Sequence, residues 1–241
     1  MKKRWIWFSL LFVVLLVALA PASLLSQTPV KAGQWSGRLW SGTAHDIELA
    51  NTHLHTAKWQ VLWTELLSGW LALQLTLDDP GVKAHTKLFW HAPQWRLEGL
   101  TGEMTAAWLS EAFFRGVQMA GDVSFTFQQL AGTERRLTDA DGRLQWHNAA
   151  IRTPFVQRLL PLGNLRLVAK PAEQHIDFVL TSDAPLRLNL SGRLAPDGGI
   201  VLAGTMAATT LPEIDRVVSL ITQGYDSGKR KIQFEGRIPG W

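Results

Sequence analysis

The residues that could carry out chemistry are few and lie far apart in the sequence. His53 and His55 are two residues apart, so on a strand both imidazoles would lie on one face and could bind a metal ion. Neither an acidic residue nor a third histidine stands at a spacing typical of a metal site. A solvent-facing strand explains the pair more simply, and we therefore expect no metal ligand in this chain.

Two adjacent carboxylates, Asp78 and Asp79, could in principle act as an acid–base pair. A Pro-Gly pair follows them directly, and this order is typical of a turn. Ser36 and Ser41 also stand in tight-turn contexts, with no base nearby in the sequence. The sequence has no motif for a nucleophile elbow, a phosphate loop, a zinc protease or a dinucleotide site. We therefore expect no catalytic residues, no cofactor and no enzymatic activity.

The composition narrows the remaining classes of function. The 241 residues contain no cysteine, which excludes a disulfide scaffold, thiolate metal sites and a cysteine nucleophile. Three of the 24 basic residues lie in the N-terminal tail, and the remaining 21 nearly balance the 20 acidic residues. A basic surface for nucleic acid is therefore not expected, and we predict no nucleic-acid partner.

The N-terminus combines a basic tail, residues 1–4, with an uncharged apolar segment, residues 5–25. At about 1.5 Å per residue, a helix of this length crosses a hydrocarbon core of about 30 Å. The basic tail is expected to stay in the cytoplasm. The sequence thus predicts a single transmembrane helix that anchors residues 26–241 on the outer side of the inner membrane.

A cleaved signal peptide is the alternative interpretation of this segment. Ala18-Leu19-Ala20 and Ala20-Pro21-Ala22 both resemble cleavage sites with small residues at the required positions. Pro21 would directly follow the first site, which disfavours cleavage, and the apolar segment is long for a signal peptide. We favour the uncleaved anchor, and both interpretations export the same domain.

Beyond about residue 28, apolar and polar residues alternate in several runs. A period of two is typical of strands with one buried face and one solvated face. The clearest run is Gly69–Leu77, which places Leu71, Leu73 and Leu75 on one face. The turn signal at residues 196–199 predicts a hairpin that joins residues 188–194 to residues 199–204. The sequence therefore predicts a mainly β domain built on a largely antiparallel, curved sheet.

Two segments have the apolar spacing of a helix instead. Met104–Gly116 has Thr101 as a candidate N-cap, and Leu211–Gly224 has Thr209 or Thr210. A curved sheet needs cover over its apolar face. We therefore expect two or so short amphipathic helices that pack on the sheet.

The tripeptide Gly-Arg-Leu or Gly-Arg-Ile occurs four times, beginning at Gly37, Gly142, Gly192 and Gly236. The irregular spacing excludes a fixed-period repeat. We interpret each copy as the start of a strand after a turn.

Twelve tryptophans are many for a chain of this length. Most are expected to fill the core of the sheet. The alternative is that some cover an open apolar concavity that accepts lipid or another protein, because an indole combines a large apolar ring with a hydrogen-bond donor. The tryptophans in question are Trp59, Trp63, Trp70, Trp90, Trp95, Trp108 and Trp146.

Short motifs rich in Gly, Trp and Leu follow the apolar segment in a fixed order. They lie at residues 37–44, 59–73, 97–109 and 190–204. In their order, and in the length of the chain, they resemble the type II secretion system protein N family, also called general secretion pathway protein N. One departure is at Gly37-Arg38-Leu39, where the family often has Gly-Thr before an aliphatic residue and Trp.

The resemblance implies a single-pass inner-membrane protein with a periplasmic β-domain and no catalytic residues. The resemblance also implies that the protein belongs to the machinery that exports folded proteins from the periplasm across the outer membrane. The implied partners are other type II secretion components, in the inner-membrane platform or the outer-membrane secretin, and the lipid bilayer. The first hypothesis is therefore a secretion component that acts by protein–protein interaction.

The alternative is a periplasmic lipid-binding or lipid-transfer-like β module, with lipid in an apolar groove. The apolar strand faces and the tryptophan content suggest it. A hydrolase, the third hypothesis, has in its favour only Ser, His and Asp residues that form no recognisable motif.

Overall fold

The computed structural model describes residues 21–22, 32–49, 52–114, 116–133, 136–154, 156–207, 222–226 and 229–237. Within these residues the chain is almost entirely β. The strands are β1 Ala32–Arg38, β2 Ser41–Leu49, β3 Thr52–Val61, β4 Leu71–Asp79, β5 Val82–His91, β6 Gln94–Thr105, β7 Gln118–Thr133, β8 Arg136–Thr153, β9 Val156–Pro171, β10 Ile176–Ser182, β11 Asn189–Leu194, β12 Gly199–Ala207, β13 Thr222–Asp226 and β14 Lys229–Arg237. The helices are α1 Trp63–Leu66 and α2 Ala106–Phe113.

The described strands form one antiparallel sheet in which sequence neighbours pair from β1 to β12. After β12 the order changes, because β14 pairs with β12 and β13 lies outside β14. The predicted hairpin is confirmed as β11 and β12, with Leu194 opposite Ile200. The predicted mainly β, antiparallel fold is therefore confirmed.

Bulges interrupt the ladders of the long central strands. Between β5 and β6 the register shifts after His85, so that Gly99 and Leu100 together oppose Thr86. Gly99 has a φ of 61°, a conformation that residues with a Cβ rarely adopt. Further shifts occur between β7 and β8 and between β8 and β9. A bulge bends and twists the strand that carries it, which supplies curvature to a sheet of this width.

The helix predicted at Met104–Gly116 exists but begins later. Met104 and Thr105 still belong to β6, because Thr105 pairs with Asp122 of β7. Thr105 then acts as the N-cap, and its hydroxyl accepts a hydrogen bond from the Trp108 N–H at 3.2 Å. The cap predicted at Thr101 was therefore wrong.

The second predicted helix, Leu211–Gly224, lies mostly outside the described residues. Its last residues, 222–224, belong to β13 and are not helical. The short helix α1 was not predicted. It consists of four residues in the connection between β3 and β4.

The predicted membrane span, residues 5–25, lies outside the described residues except for Pro21 and Ala22. Pro21 forms an isolated antiparallel bridge with Arg38 at the end of β1, and Ala22 is buried. In the part of the chain that the structure describes, no helix is long and apolar enough to cross a membrane.

The interpretation of the Gly-Arg tripeptides as strand starts was wrong. Gly37 and Gly236 are the next-to-last residues of β1 and β14. Gly142 lies inside β8 and Gly192 lies inside β11, each directly opposite a phenylalanine. A Cβ at Gly142 would lie 2.4 Å from the ring of Phe127, and one at Gly192 would lie 2.5 Å from the ring of Phe178. Because these glycines have no side chain, the phenylalanine ring of the paired strand can lie directly over them.

Candidate functional site

An open apolar groove lies on one face of strands β1 to β4. It has a volume of about 490 Å³, and every side chain that lines it is apolar. The lining residues are Trp35, Leu39, Trp40, Ala44, Ile47, Ala57, Trp59, Val61, Leu71, Leu73 and Leu75. Such a lining can bind an apolar ligand by removing its surface from water, and it offers no group for acid–base or nucleophilic chemistry.

Trp59 forms the floor of this groove. It lies opposite Gly42 in the β2–β3 ladder, and a Cβ on Gly42 would lie 2.5 Å from the indole ring. The indole N–H donates a hydrogen bond to the carbonyl oxygen of Leu39 at 2.9 Å. The ring of Trp35 meets it edge-on, with centroids 5.8 Å apart. The absence of a side chain at residue 42, one hydrogen bond and one ring contact therefore fix the orientation of Trp59.

The leucines of β4 form one wall of the groove. Leu71, Leu73 and Leu75 share a face, as the alternation predicts, and Leu73 and Leu75 pair with Val61 and Trp59 of β3. All three leucines are half-buried, whereas the alternation suggested a buried face. The difference arises because no described element packs over this part of the sheet. The uncovered leucines are the surface that a ligand would bury.

One end of the groove is aromatic. The turn between β1 and β2, residues 39–40, and the connection between β3 and β4, residues 62–70, together form what we call the aromatic end. Trp40 and Trp63 are in contact here, with ring centroids 4.5 Å apart. Trp63 is 52% exposed and Leu67 is 92% exposed. The guanidinium of Arg96 lies 5.4 Å from the ring centroid of Trp70, so a cation borders the apolar surface.

The candidate chemical residues are placed apart from the groove and serve local structure. Asp79 is buried, and its carboxylate accepts hydrogen bonds from the backbone N–H of His55 at 2.7 Å and from that of Gly81 at 2.9 Å. His55 Nδ1 lies 2.6 Å from the same carboxylate. The carboxylate thus holds the β4–β5 turn against β3. The turn itself is Pro80-Gly81, whereas Asp78 and Asp79 are the last residues of β4, paired with Lys83 and Val82.

The pKa of Asp79 reflects two opposing influences. Burial by itself raises the pKa of this carboxyl group, because the charged form loses water. Hydrogen bonds from the backbone of Gly81 and His55, and from the His55 ring, favour the charged form and outweigh burial. The resulting pKa lies below the ordinary value of 3.8.

His53 and His55 lie on one face of β3, as predicted. Among the described residues, no group of three or more His, Asp or Glu side chains could hold a metal ion. His55 pairs with Asp79, and His175 pairs with Asp177 at 3.1 Å. Within the described part of the chain, neither imidazole forms a hydrogen bond with a serine hydroxyl.

The pairing of His55 with Asp79 was missed in the sequence. The two residues are 24 positions apart, and they meet only because of the register in which β3 pairs with β4. The groove was anticipated as a concavity bordered by tryptophans but was not located. A tryptophan that faces a glycine across two predicted strands, as Trp59 faces Gly42, is the signal that could have located it.

An uncovered apolar groove on an antiparallel sheet is typical of proteins that bind or assemble with a partner. The family model of type II secretion system (T2SS), protein N matches residues 28–233. The chain is also 28% identical over 239 residues to type II secretion system protein N of Klebsiella pneumoniae, a match that covers 95% of this chain and 90% of that protein. No solved structure matches the chain.

The chain therefore belongs to the type II secretion system protein N family. Its place is among the components of the type II secretion system, where it takes part in protein transport. The family is a structural part of the secretion machinery and is not known as an enzyme.

Proposed function

We propose that this protein is an inner-membrane-anchored, periplasmic component of the type II secretion system. It supports the export of folded proteins across the outer membrane by protein–protein interaction. The observation that carries the proposal is the family match over residues 28–233, which spans nearly all of the described sheet. The basic tail and the apolar segment of residues 5–25 support a single-pass anchor with a cytoplasmic N-terminus.

An exposed aromatic pair suggests where a protein partner binds. Phe113, the last residue of α2, is 56% exposed, and the adjacent Phe114 is 47% exposed. Large aromatic side chains of this kind are enriched at the centres of protein interfaces. We propose this pair as a contact with another secretion component, in the inner-membrane platform or the outer-membrane secretin.

Deletion of the gene from its host tests the proposed role. Folded exoproteins should accumulate in the periplasm, and the full chain should restore secretion, whereas a chain without residues 1–25 should not. Phe113→Ser combined with Phe114→Ser should fail to restore secretion. The matched control is Val179→Ser combined with Val201→Ser, two exposed strand residues that should tolerate the change. Normal secretion after deletion would contradict the proposal.

The groove favours a second candidate function, a periplasmic lipid-binding or lipid-transfer-like module. Its lining is apolar throughout, and its leucine wall is uncovered. The full chain in native membranes, supplied with a photoactivatable phospholipid, should crosslink to that lipid. Leu73→Glu should reduce the crosslinking several-fold because it places a charge in the groove. Gln74→Glu adds the same charge on the opposite face and should leave the crosslinking unchanged.

A further inference from the structure

The aromatic end exposes more apolar surface than a solvated turn requires. Leu67 is 92% exposed and Trp63 is 52% exposed, and the ring of Trp63 contacts that of Trp40. Leu67 directly follows α1, a helix of four residues with no buried side chain. The connection is thus a short projection that presents Trp and Leu side chains outward.

The N-terminal segment joins the sheet at this same end. Pro21 pairs with Arg38, which is the last residue of β1 and directly precedes the turn at Leu39 and Trp40. Ala20, the last residue of the apolar run 5–20, directly precedes Pro21 in the sequence, so no linker residues separate that run from this contact with the sheet. This step rests on the membrane anchor proposed above.

The length of the anchor brings the sheet close to the bilayer. Because Pro21 pairs with Arg38, residues 5–20 are available to cross the membrane, and as a helix they extend about 24 Å. The hydrocarbon core is about 30 Å thick, so the helix is a few ångströms short. A short span is accommodated by drawing its flanking residues into the interface or by thinning the bilayer. The residues drawn in on the outer side are those of the aromatic end.

The chemistry of this end suits the headgroup region of a bilayer. Tryptophan is enriched at membrane interfaces because its ring is apolar while its N–H remains hydrated. Arg96 supplies a cation beside the ring of Trp70, with its Nε paired to Glu98 at 2.9 Å, and Arg38 adds a basic residue at the end of β1. Glu65 in α1 is the acidic residue of the connection, and one carboxylate does not offset the apolar surface.

The other exposed aromatic pair is too distant to share this role. Phe113 and Phe114 follow β6, which begins near the aromatic end at Gln94 and runs for 12 residues to Thr105. At about 3.4 Å per residue this strand places α2 about 40 Å away. A sheet whose strands stand upright on the membrane at the aromatic end therefore keeps α2 out of contact with that membrane.

We propose that the aromatic end is a membrane-docking surface, with Trp40, Trp63 and Leu67 seated in the outer interface of the same bilayer that the anchor crosses. The occupant of this surface is the lipid headgroup region. The sheet is thereby held upright on the membrane, with the α2 end directed away from it.

The absence of cysteine allows a direct test with the full chain. Leu67→Cys would carry an environment-sensitive fluorophore, and the protein would be reconstituted in vesicles of phosphatidylethanolamine and phosphatidylglycerol. Thr64→Cys is a second label on the same connection, and Phe114→Cys and Val201→Cys are controls elsewhere on the sheet. Lipids with a shallow spin label should quench the labels at residues 64 and 67 several-fold more than the controls. Aqueous iodide should show the opposite order.

Flotation of the same vesicles separates this proposal from the anchor. Protein that does not float with the vesicles overturns both the anchor and the docking surface. Protein that floats, with labels at residues 64 and 67 quenched no more than the controls, overturns the docking surface alone. Labels shielded from iodide only in host membranes that contain the other secretion components would assign the surface to a protein partner and also overturn the proposal.

Discussion

Two leucine-rich regions of the sheet have the same sequence pattern and different surroundings. In β4, Leu71, Leu73 and Leu75 alternate with other residues and remain half-buried along the groove. Near β11, Leu186 and Leu190 follow the same alternation and are 7% and 8% exposed. The second pair packs in a cluster with Leu160, Met206 and Ile232.

The difference lies in what surrounds each face. The cluster around Leu190 draws side chains from β9, β11, β12 and β14 and from the turn after β10, so several elements close over it. The groove draws its lining from β1 to β4, and no described element covers it. Alternation therefore defines which residues share a face, whereas the packing of other elements decides whether that face stabilises the fold or binds a partner.

Truncation of one leucine in each region should give the largest difference in the free energy of unfolding. Leu190→Ala should lower the free energy of unfolding by about 3 kcal/mol, because it leaves a cavity among buried side chains. Leu73→Ala should lower it by about 1 kcal/mol, because half of that side chain is already in water. Urea unfolding of the full chain in detergent, followed by tryptophan fluorescence, measures both. Equal losses would show that the groove is covered in solution.

The rigidity of the groove floor provides a second test. Gly42→Ala would place a methyl group 2.5 Å from both the Trp59 ring and the backbone oxygen of Ser36, and it should cost about 2 kcal/mol of stability. In a Trp59→Ala background only the contact with Ser36 remains, so the substitution should cost less and a double-mutant cycle should show positive coupling. Additive losses would indicate that the Ser36 backbone, and not the ring, opposes the methyl group.

Substitution of Asp79 tests the end of β4 that lies farthest from the aromatic end. Asp79→Asn should cost about 1–2 kcal/mol at neutral pH, because hydrogen bonds to a buried carboxylate are lost. The folded-state pKa lies below 3.8, so this stabilisation is present above that pH and is lost as the pH falls through the folded pKa. Unfolding at a series of pH values should show wild type and variant converging in acid. Asp78→Asn, at the exposed neighbouring residue, is the control and should match wild type at neutral pH.

The smallest effect is expected at the aromatic end. Leu67→Ser should leave the stability within about 0.5 kcal/mol of wild type, because the side chain is 92% exposed. The thermal unfolding midpoint of the detergent-solubilised chain checks this. A clear drop in the midpoint would mean that Leu67 contributes to folding. Its exposure would then no longer be a reason to place Leu67 on the membrane-docking surface.

The sequence predicted local features well and tertiary relations poorly. Alternation located β4 and the β11–β12 hairpin because strand periodicity depends on neighbouring residues alone. The start of α2 was misplaced because β6 continues for as long as β7 pairs with it, to Thr105 opposite Asp122. Helical spacing at residues 222–224 was misleading because pairing with β14 overrides it.

The sequence suggested the type of candidate site but not its position on the sheet. An apolar concavity covered by tryptophans was the alternative to core packing, and Trp59, one of the tryptophans named for it, lines the groove. The position of the groove depends on which leucine face remains uncovered, and no local pattern carries that information. The contact between His55 and Asp79 depends on register across two strands in the same way. Both features follow from pairing and packing, which single-residue preferences do not determine.

The glycines that lie beneath aromatic rings restrict the order in which this sequence can change. Gly42 lies beneath Trp59, Gly142 beneath Phe127 and Gly192 beneath Phe178. A Cβ at each of these glycines would also lie 2.5–2.7 Å from a backbone atom of a neighbouring strand, so a smaller ring alone does not make room for a side chain. The ring should therefore vary between relatives before the glycine does, and the glycine should be the more persistent member of each pair.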